Sequence, residues 1–334
     1  MQTTVALAPR AALAVPRFDV TTIGEGQLRL CVPAGERMER ARTFDVFVSG
    51  TEGNVAATLA RLGRRTAWSS ALPDTPMGRR VASEFALAGV DLSGVHWLEG
   101  RLATYYVEYA VPPRSIQVWF DRANSSFTKL TPAQLDWDHL LDAELMHLSG
   151  ITLALPGPDE LVREAVSRAR AAGVRLSFDV NYRARLWSPE QAREALLPVL
   201  QQVDVLFCSR ADAKTLLGID AEPAGSVLTE LARHTAAKQL IMSDGPNGLY
   251  GWERGDDRPS HAPAREVTIL DRIGAGDAMV AGVLHGILAG NLPRGLKYGA
   301  LCAALALGTY GDQPLVDAAE VERLVDVSQP MIVR

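Results

Sequence analysis

Residues 158–179 read PDELVREAVSRARAAGVRLSFD. The stretch 158–172 predicts a helix. Gly173 stops it, because glycine is favoured just past a helix end, where the backbone turns left-handed. Val174–Phe178 follows as a strand. The same alternation extends in both directions. Val20–Gly24 and Leu145–Ser149 read as strands upstream. Downstream, Ser188-Pro189-Glu190-Gln191 carries a capping residue, a first-turn proline and a glutamine at the third helical position. Asp204–Cys208 and Gln239–Ser243 are further short apolar strands. Strands separated by helices imply an α/β fold with a mostly parallel sheet covered on both faces. Ligands of such sheets bind beyond the carboxyl ends of the strands. That rule points to Asp179-Val180-Asn181, Ser209 and Ser243-Asp244-Gly245.

Two stretches break the pattern, residues 27–49 and 100–122. Phe44, Val46 and Val48 alternate, as do Tyr105, Val107 and Tyr109, and then Ile116, Val118 and Phe120. A period of two means half-buried strands with one free face. No helix follows either stretch directly, so these strands are expected to form a small sheet apart from the main one. The expected organisation is a disordered extension over 1–17, a large α/β domain from 18–26, 50–99 and 123–334, and a β lid from 27–49 and 100–122.

The 334 residues carry 34 Lys and Arg against 39 Asp and Glu, a net charge of −5. That balance offers no basic stripe for nucleic acid. Cys31, Cys208 and Cys302 are far apart and include no CxxC pair, which argues against a disulfide framework or zinc site and for a reducing compartment. The closest histidines, His139 and His147, do not have helical metal-pair spacing. No apolar run reaches the ~18 residues of a membrane span. Pro9-Arg10 interrupts the Ala-rich start before a signal-like apolar run forms. A cytoplasmic protein without membrane or nucleic-acid partners is expected.

Val267–Leu270 reads as a strand, followed by Asp271-Arg272-Ile273-Gly274-Ala275-Gly276-Asp277 and a helical run from Ala278 to Ala289. Gly274, Ala275 and Gly276 leave backbone N–H groups free to converge at a helix start, where the dipole favours an anion. A transferring phosphoryl group develops charge that such groups stabilise. Asp277 in the first turn can take a proton from an attacking hydroxyl, or it can simply cap the helix. Gly282, Gly286 and Gly290 recur every four residues and suit close packing. GxGxxG after the first strand is lacking, since no third glycine follows Gly24-Glu25-Gly26. GxxxxGK[ST] is also absent, so dinucleotide oxidoreductases and P-loop kinases are excluded.

The segment Asp271–Ala278 resembles the C-terminal signature of the PfkB, or ribokinase-like, sugar kinases. Gly50-Thr51-Glu52-Gly53-Asn54-Val55-Ala56, Ala60-Arg61-Leu62-Gly63, Asp74 and Gly78 resemble the N-terminal signature. Pro73 stands where the family usually has glycine, and Ser209-Arg210-Ala211-Asp212 stands for its Asn-x-x-Glu. Leu148–Thr152, Phe178–Arg183 with Leu186–Pro189, and Phe120–Ser125 look most like bacterial 2-keto-3-deoxygluconate kinases.

The resemblance implies a ribokinase-like fold with a β-sheet lid, and ATP-dependent phosphorylation of a sugar hydroxyl, with 2-keto-3-deoxygluconate giving its 6-phosphate. Fructose, ribose or 5-dehydro-2-deoxygluconate are alternative acceptors, and a non-catalytic sugar-binding protein is the remote one. It implies Asp277 as base, with Gly274, Ala275 and Gly276 holding the phosphoryl group. Gly50, Asn54, Tyr105, Phe120, Arg122 and Arg183 would contact the sugar, with Tyr106 replacing Tyr105 if the strand register shifts by one. An arginine fork suits a carboxylate, although a salt bridge is an equal reading for Arg183. Ser209, Ser243, Gly245 and Gly248 would lie along ATP, with Ala300–Ala303 and Gly308 walling the adenine. Asp212 would support Mg2+ indirectly. A monovalent cation near Asp271 and a homodimer through the lid occur in relatives.

Overall fold

The computed structural model describes residues 15–109 and 113–327. Nine strands form the main sheet: β1 (Phe18–Ile23), β4 (Thr66–Leu72), β5 (Val95–Trp97), β8 (Ala143–Ser149), β9 (Arg175–Asp179), β10 (Val205–Ser209), β11 (Gln239–Ser243), β12 (Leu249–Glu253) and β13 (Ser260–Ala262). Their order is β13-β12-β11-β10-β9-β8-β1-β4-β5. Every pairing from β11 to β5 is parallel, and only the β11–β12 and β12–β13 pairings are antiparallel. Four strands form the small sheet: β2 (Gln27–Cys31), β3 (Asp45–Ser49), β6 (Ala103–Glu108) and β7 (Gln117–Asp121), in the order β3-β2-β6-β7. All four fall within the two stretches singled out by alternation, although a helix does follow the first stretch directly, because Gly50 after β3 caps Thr51–Arg61.

Both faces of the main sheet are covered, and consecutive strand residues divide between them. Leu145, Phe207 and Ile241 pack under the helices Thr51–Arg61, Ala275–Leu288 and Leu292–Leu307. Met146, Leu206 and Leu240 pack on the opposite face with the helices Pro158–Ala172 and Pro189–Leu200. The expected helix 158–172 is present with Gly173 left-handed at φ 71°. The capping box of Ser188 and Gln191 forms. Val267–Leu270 is a correction, because no strand forms there. Ile269 and Leu270 are more than 40% exposed, and the Leu270 N–H donates to the Leu307 carbonyl at 2.8 Å, so a helix end and not a sheet edge holds the segment.

Of the expected N-terminal extension, residues 15–17 are described, and Arg17 pairs with Asp91 at 2.9 Å. All three cysteines are free and buried. His147 is fully buried on β8, with Nδ1 3.0 Å from Ser177 Oγ, and burial drives its pKa down to about 3. No described helix is long and apolar enough to cross a membrane.

Gly282 and Gly286 let the Ala275–Leu288 and Leu292–Leu307 helices touch backbone to backbone. A Cβ on Gly286 would lie 2.2 Å from Gly295 Cα, and one on Gly282 would lie 2.7 Å from Gly299 N. Gly290 lies past the helix end at φ 74° and takes no part. Gly286→Ala should therefore destabilise the protein by ~1–3 kcal/mol through overpacking. Urea unfolding measures this, and an unchanged midpoint would contradict the contact.

Candidate active site

Two helices that begin on glycine meet at their N-termini. Gly50 caps Thr51–Arg61 and Gly274 caps Ala275–Leu288, and neither helix has a side-chain cap. Their first N–H groups are therefore left without intrahelical partners, and both dipoles point their positive ends into the same region. Only glycine fits at Gly274: its φ is 86°, and a Cβ would sit 2.1 Å from the Asp312 carbonyl oxygen. A Cβ on Gly50 would lie 2.4 Å from the Glu25 carbonyl oxygen. The helices are joined side chain to side chain, because Asn54 Nδ2 donates to Asp277 Oδ2 at 2.8 Å.

Asp277 is 8% exposed. Burial pushes its pKa up to about 8; the Asn54 hydrogen bond and Arg183 pull against this, while the charges of Asp312 and Asp179 add to it. A base poised near neutrality suits removal of a hydroxyl proton. Asp179, half-buried at the end of β9, is pushed to about 7, again chiefly by desolvation, with the charge of Asp212 contributing. Burial also raises Asp212.

A cavity of about 450 Å³ lies between the small sheet and the glycine turn. Tyr105, Val118 and Phe120 line it from the small sheet, and Gly274, Gly276 and Asp277 from the turn, with Arg183, Ile151 and Asp312 completing the wall. Tyr105 is the residue that faces inward; Tyr106 points the other way, against Phe44. Phe120 is 41% exposed and stacks at 5.3 Å on Tyr105. A smaller cavity of about 120 Å³ shares Phe120, Ile151 and Arg183, and adds Arg122 and Arg185. Arg183 has no ion pair among the described residues. Arg122 is already paired, donating to Glu25 Oε2 at 2.6 and 3.0 Å. Gly50, Asn54 and Ala275 do not line the larger cavity; Ser49, Thr51 and Gly276 beside them do.

Ser209 and Ser243 are register partners at the ends of β10 and β11, and Phe207 on β10 is opposite Asp179. The loop that follows β11 is tight, with Gly245 at φ 51° and Gly248 at φ 93°. Ser209 caps the helix carrying Asp212, its Oγ accepting from the Asp212 N–H at 2.9 Å. These residues are outside the 450 Å³ cavity. Ala300 lines another cavity of about 320 Å³ with Pro263, Lys297 and Val325. Gly308 does not, and lies near Val267 instead.

Sequence reading missed three groups. Asp312 accepts from Tyr105 Oη at 2.8 Å and Ser49 Oγ at 2.5 Å, yet it follows a helix in a segment without motif. Gln27 lines the cavity, with its buried Oε1 unpartnered; Asn181 Oδ1 is in the same condition. Glu25 was read only as part of a failed glycine fingerprint. Conversely, Ser149 and Thr152 of the Leu148–Thr152 segment both donate at 2.6 Å to the buried Glu52, a structural duty.

Residues 19–319 match the pfkB family carbohydrate kinases. The chain belongs to this family. It is a phosphotransferase acting on a sugar hydroxyl, with a ribokinase-like α/β fold and a small separate sheet. It is 37% identical to a 2-dehydro-3-deoxygalactonokinase of Haloferax volcanii, over 92% of this chain and 96% of that protein. Identity to a 5-dehydro-2-deoxygluconokinase of Bacillus licheniformis is 25%, with the same coverage. Among solved structures, the 2-dehydro-3-deoxygluconokinase of Thermotoga maritima is 30% identical with a TM-score of 0.87, covering 93% of this chain and 99% of that one.

The raised pKa of Asp277 has a cost in stability. Its folded value lies above the ordinary 3.8, so the unfolded chain releases the proton first, and stability is lost as pH rises from about 4 towards about 8. Asp277→Asn removes that loss. The melting temperature of the variant relative to the unaltered protein should climb between pH 5 and pH 8; a pH-independent difference would contradict the buried, protonated carboxyl.

Proposed function

We propose that this kinase transfers the γ-phosphoryl group of ATP to the terminal hydroxyl of 2-keto-3-deoxygluconate, giving the 6-phosphate. Arg183 is the observation that carries the sugar acid. It lines the same cavity as Asp277 and, like Arg272 there, forms no ion pair among the described residues, although Asp277, Asp179 and Asp212 all feel its charge. A sugar acid supplies a carboxylate, and a guanidinium can grip it with two parallel hydrogen bonds. Arg122, paired with Glu25 and lying 5.7 Å from the centre of the Phe120 ring, walls the neighbouring cavity.

Asp277 accepts the hydroxyl proton while the N–H groups of Ala275, Gly276 and Asp277 hold the phosphoryl oxygens at the helix start. Gln27 Oε1 and Asn181 Oδ1 are unpartnered acceptors for sugar hydroxyls. Tyr105 and Phe120 cover the sugar from the small sheet, which acts as a lid against water. Ser209, Ser243, Gly245 and Gly248 lie at the strand ends where the nucleotide phosphates would run. The described residues hold no group of three or more His, Cys, Asp or Glu able to cage a metal. Magnesium binds through substrate phosphates and retains water while using one or two carboxylates. Asp212 and Asp179 are the residues that would reach it, and it would neutralise charge on the phosphoryl oxygens.

The galacto epimer of the same acid is a second reading, favoured by the 37% identity to the Haloferax volcanii enzyme. The three free, buried thiols fit a reducing cytoplasm. A homodimer through the lid is part of the same reading: Val46, Leu30, Tyr106 and Trp119 lie side by side across its four strands on the face turned from the cavity, and Trp119 is 44% exposed.

A coupled ATP-consumption assay with both keto-deoxy acids, 5-dehydro-2-deoxygluconate, fructose and ribose tests the assignment. Turnover should be confined to acids, and faster turnover on a neutral sugar would overturn it. Arg183→Ala should raise KM for the acid about 10–100-fold, the loss expected for a charged hydrogen-bond pair. Asp277→Asn should lower kcat by ~10²–10⁴ while ATP still binds; retention of a tenth of the rate would refute Asp277 as base.

A further inference from the structure

Arg29 lies on β2 of the small sheet, and its wholly buried guanidinium, which also donates to Cys31 Sγ and Tyr109 Oη, reaches two carboxylates of the large domain. Nη2 donates to Asp271 Oδ2 at 2.5 Å, and Nη1 donates to Asp312 Oδ1 at 2.9 Å. Both carboxylates are as buried as the arginine. Burial opposes its charge, but Asp312, Tyr105 and Asp271 outweigh that and hold the guanidinium more firmly protonated than usual.

The two carboxylates flank the glycine turn. Asp271 is three residues before Gly274, and its Oδ1 accepts the Ile273 N–H at 3.1 Å. Its Oδ2 also accepts from Tyr109 Oη at 3.0 Å and from the Gly311 N–H at 3.2 Å. Asp312 touches the turn from the other side, since its carbonyl oxygen occupies the space where a Gly274 Cβ would be. Its Oδ2 meanwhile receives Ser49 and Tyr105, both of which line the sugar cavity. One side chain therefore clamps both chain segments against Gly274. Ile273 packs in the same place against Cys31, Tyr105 and Val107 of the small sheet.

We propose that Arg29 is a positioning residue for phosphoryl transfer, holding Asp271 and Asp312 so that seating of the lid strand and alignment of the Gly274–Asp277 turn are a single event. It touches neither the sugar nor the phosphates. Its carboxylates are costly to leave unpaired, so the root of the lid stays seated while the rim around Phe120 admits substrate.

The inference rests on the kinase reading above, so each variant is assayed beside the unaltered enzyme on whichever sugar that enzyme phosphorylates. If the unaltered enzyme phosphorylates no sugar acid, the proposed substrate has failed and the neutral sugars supply the assay. Arg29→Met should lower kcat about 10–100-fold, the scale of a small misplacement of reacting groups. ATP consumed per sugar phosphorylated should rise above one, because a loosened lid root admits water; a purely structural role would not change that ratio. Arg29→Lys, reaching one carboxylate, should restore part of both. Unaltered kcat and one-to-one stoichiometry in Arg29→Met would overturn the proposal, whatever its melting temperature. Should Arg29→Met fail to fold, Arg29→Met/Asp271→Asn is compared with Asp271→Asn alone. A further drop in kcat in the double variant supports the clamp, and equal, unaltered rates overturn it.

Discussion

The 2.8 Å hydrogen bond from Asn54 to Asp277 joins the starts of two helices that come from opposite ends of the chain. Most of the site follows from that junction. Each helix opens on a glycine without a side-chain cap, so N–H groups without intrahelical partners gather in one region, an arrangement that favours an anion. Asp277 is held between them, deep enough for burial to lift its pKa to about 8. A solvated aspartate would be a poor base near neutrality; this one has its affinity for a proton raised by burial and by nearby carboxylates, and limited by Asn54 and Arg183.

The small sheet adds aromatic cover and, less visibly, charge. Tyr105 and Phe120 form one wall of the cavity, and Arg29 ties the root of the same sheet to the carboxylates on either side of Gly274. Buried ion pairs are seldom a net gain in stability, since desolvation offsets much of the attraction. Their geometry is nevertheless demanding, and here it coincides with the place where backbone N–H groups must be aimed. The Arg122–Glu25 pair occupies one arginine, whereas Arg183 and Arg272, which both line the larger cavity, form no ion pair among the described residues.

Much of the scaffold was legible because it depends on local rules. Gly173 ends its helix where a left-handed residue is required, Ser188 and Gln191 form their capping box, and the alternation around Tyr105 and Val118 marked strands of the small sheet. Val267–Leu270 misled because its apolar composition resembles a strand, whereas its backbone is held by the end of the Leu292–Leu307 helix. Asp312, Gln27 and Glu25 carried no local signal at all. Asp312 gains its significance from Ser49, 263 residues away, Glu25 from Arg122, 97 residues away, and Gln27 from its place in the cavity wall.

The sequence by itself determined the strand–helix alternation, the glycine turn before Asp277 and the family to which the two separated motifs point. These depend on backbone conformations and short spacings that a residue imposes on its immediate neighbours. Only the tertiary structure decided that, among the described residues, Arg122 is paired while Arg183 is not, how far burial shifts Asp277, and that an arginine of the small sheet pairs with the carboxylates on either side of the turn. Those properties arise from desolvation and charge pairing between segments that meet only when the sheet, its helices and the lid have packed together.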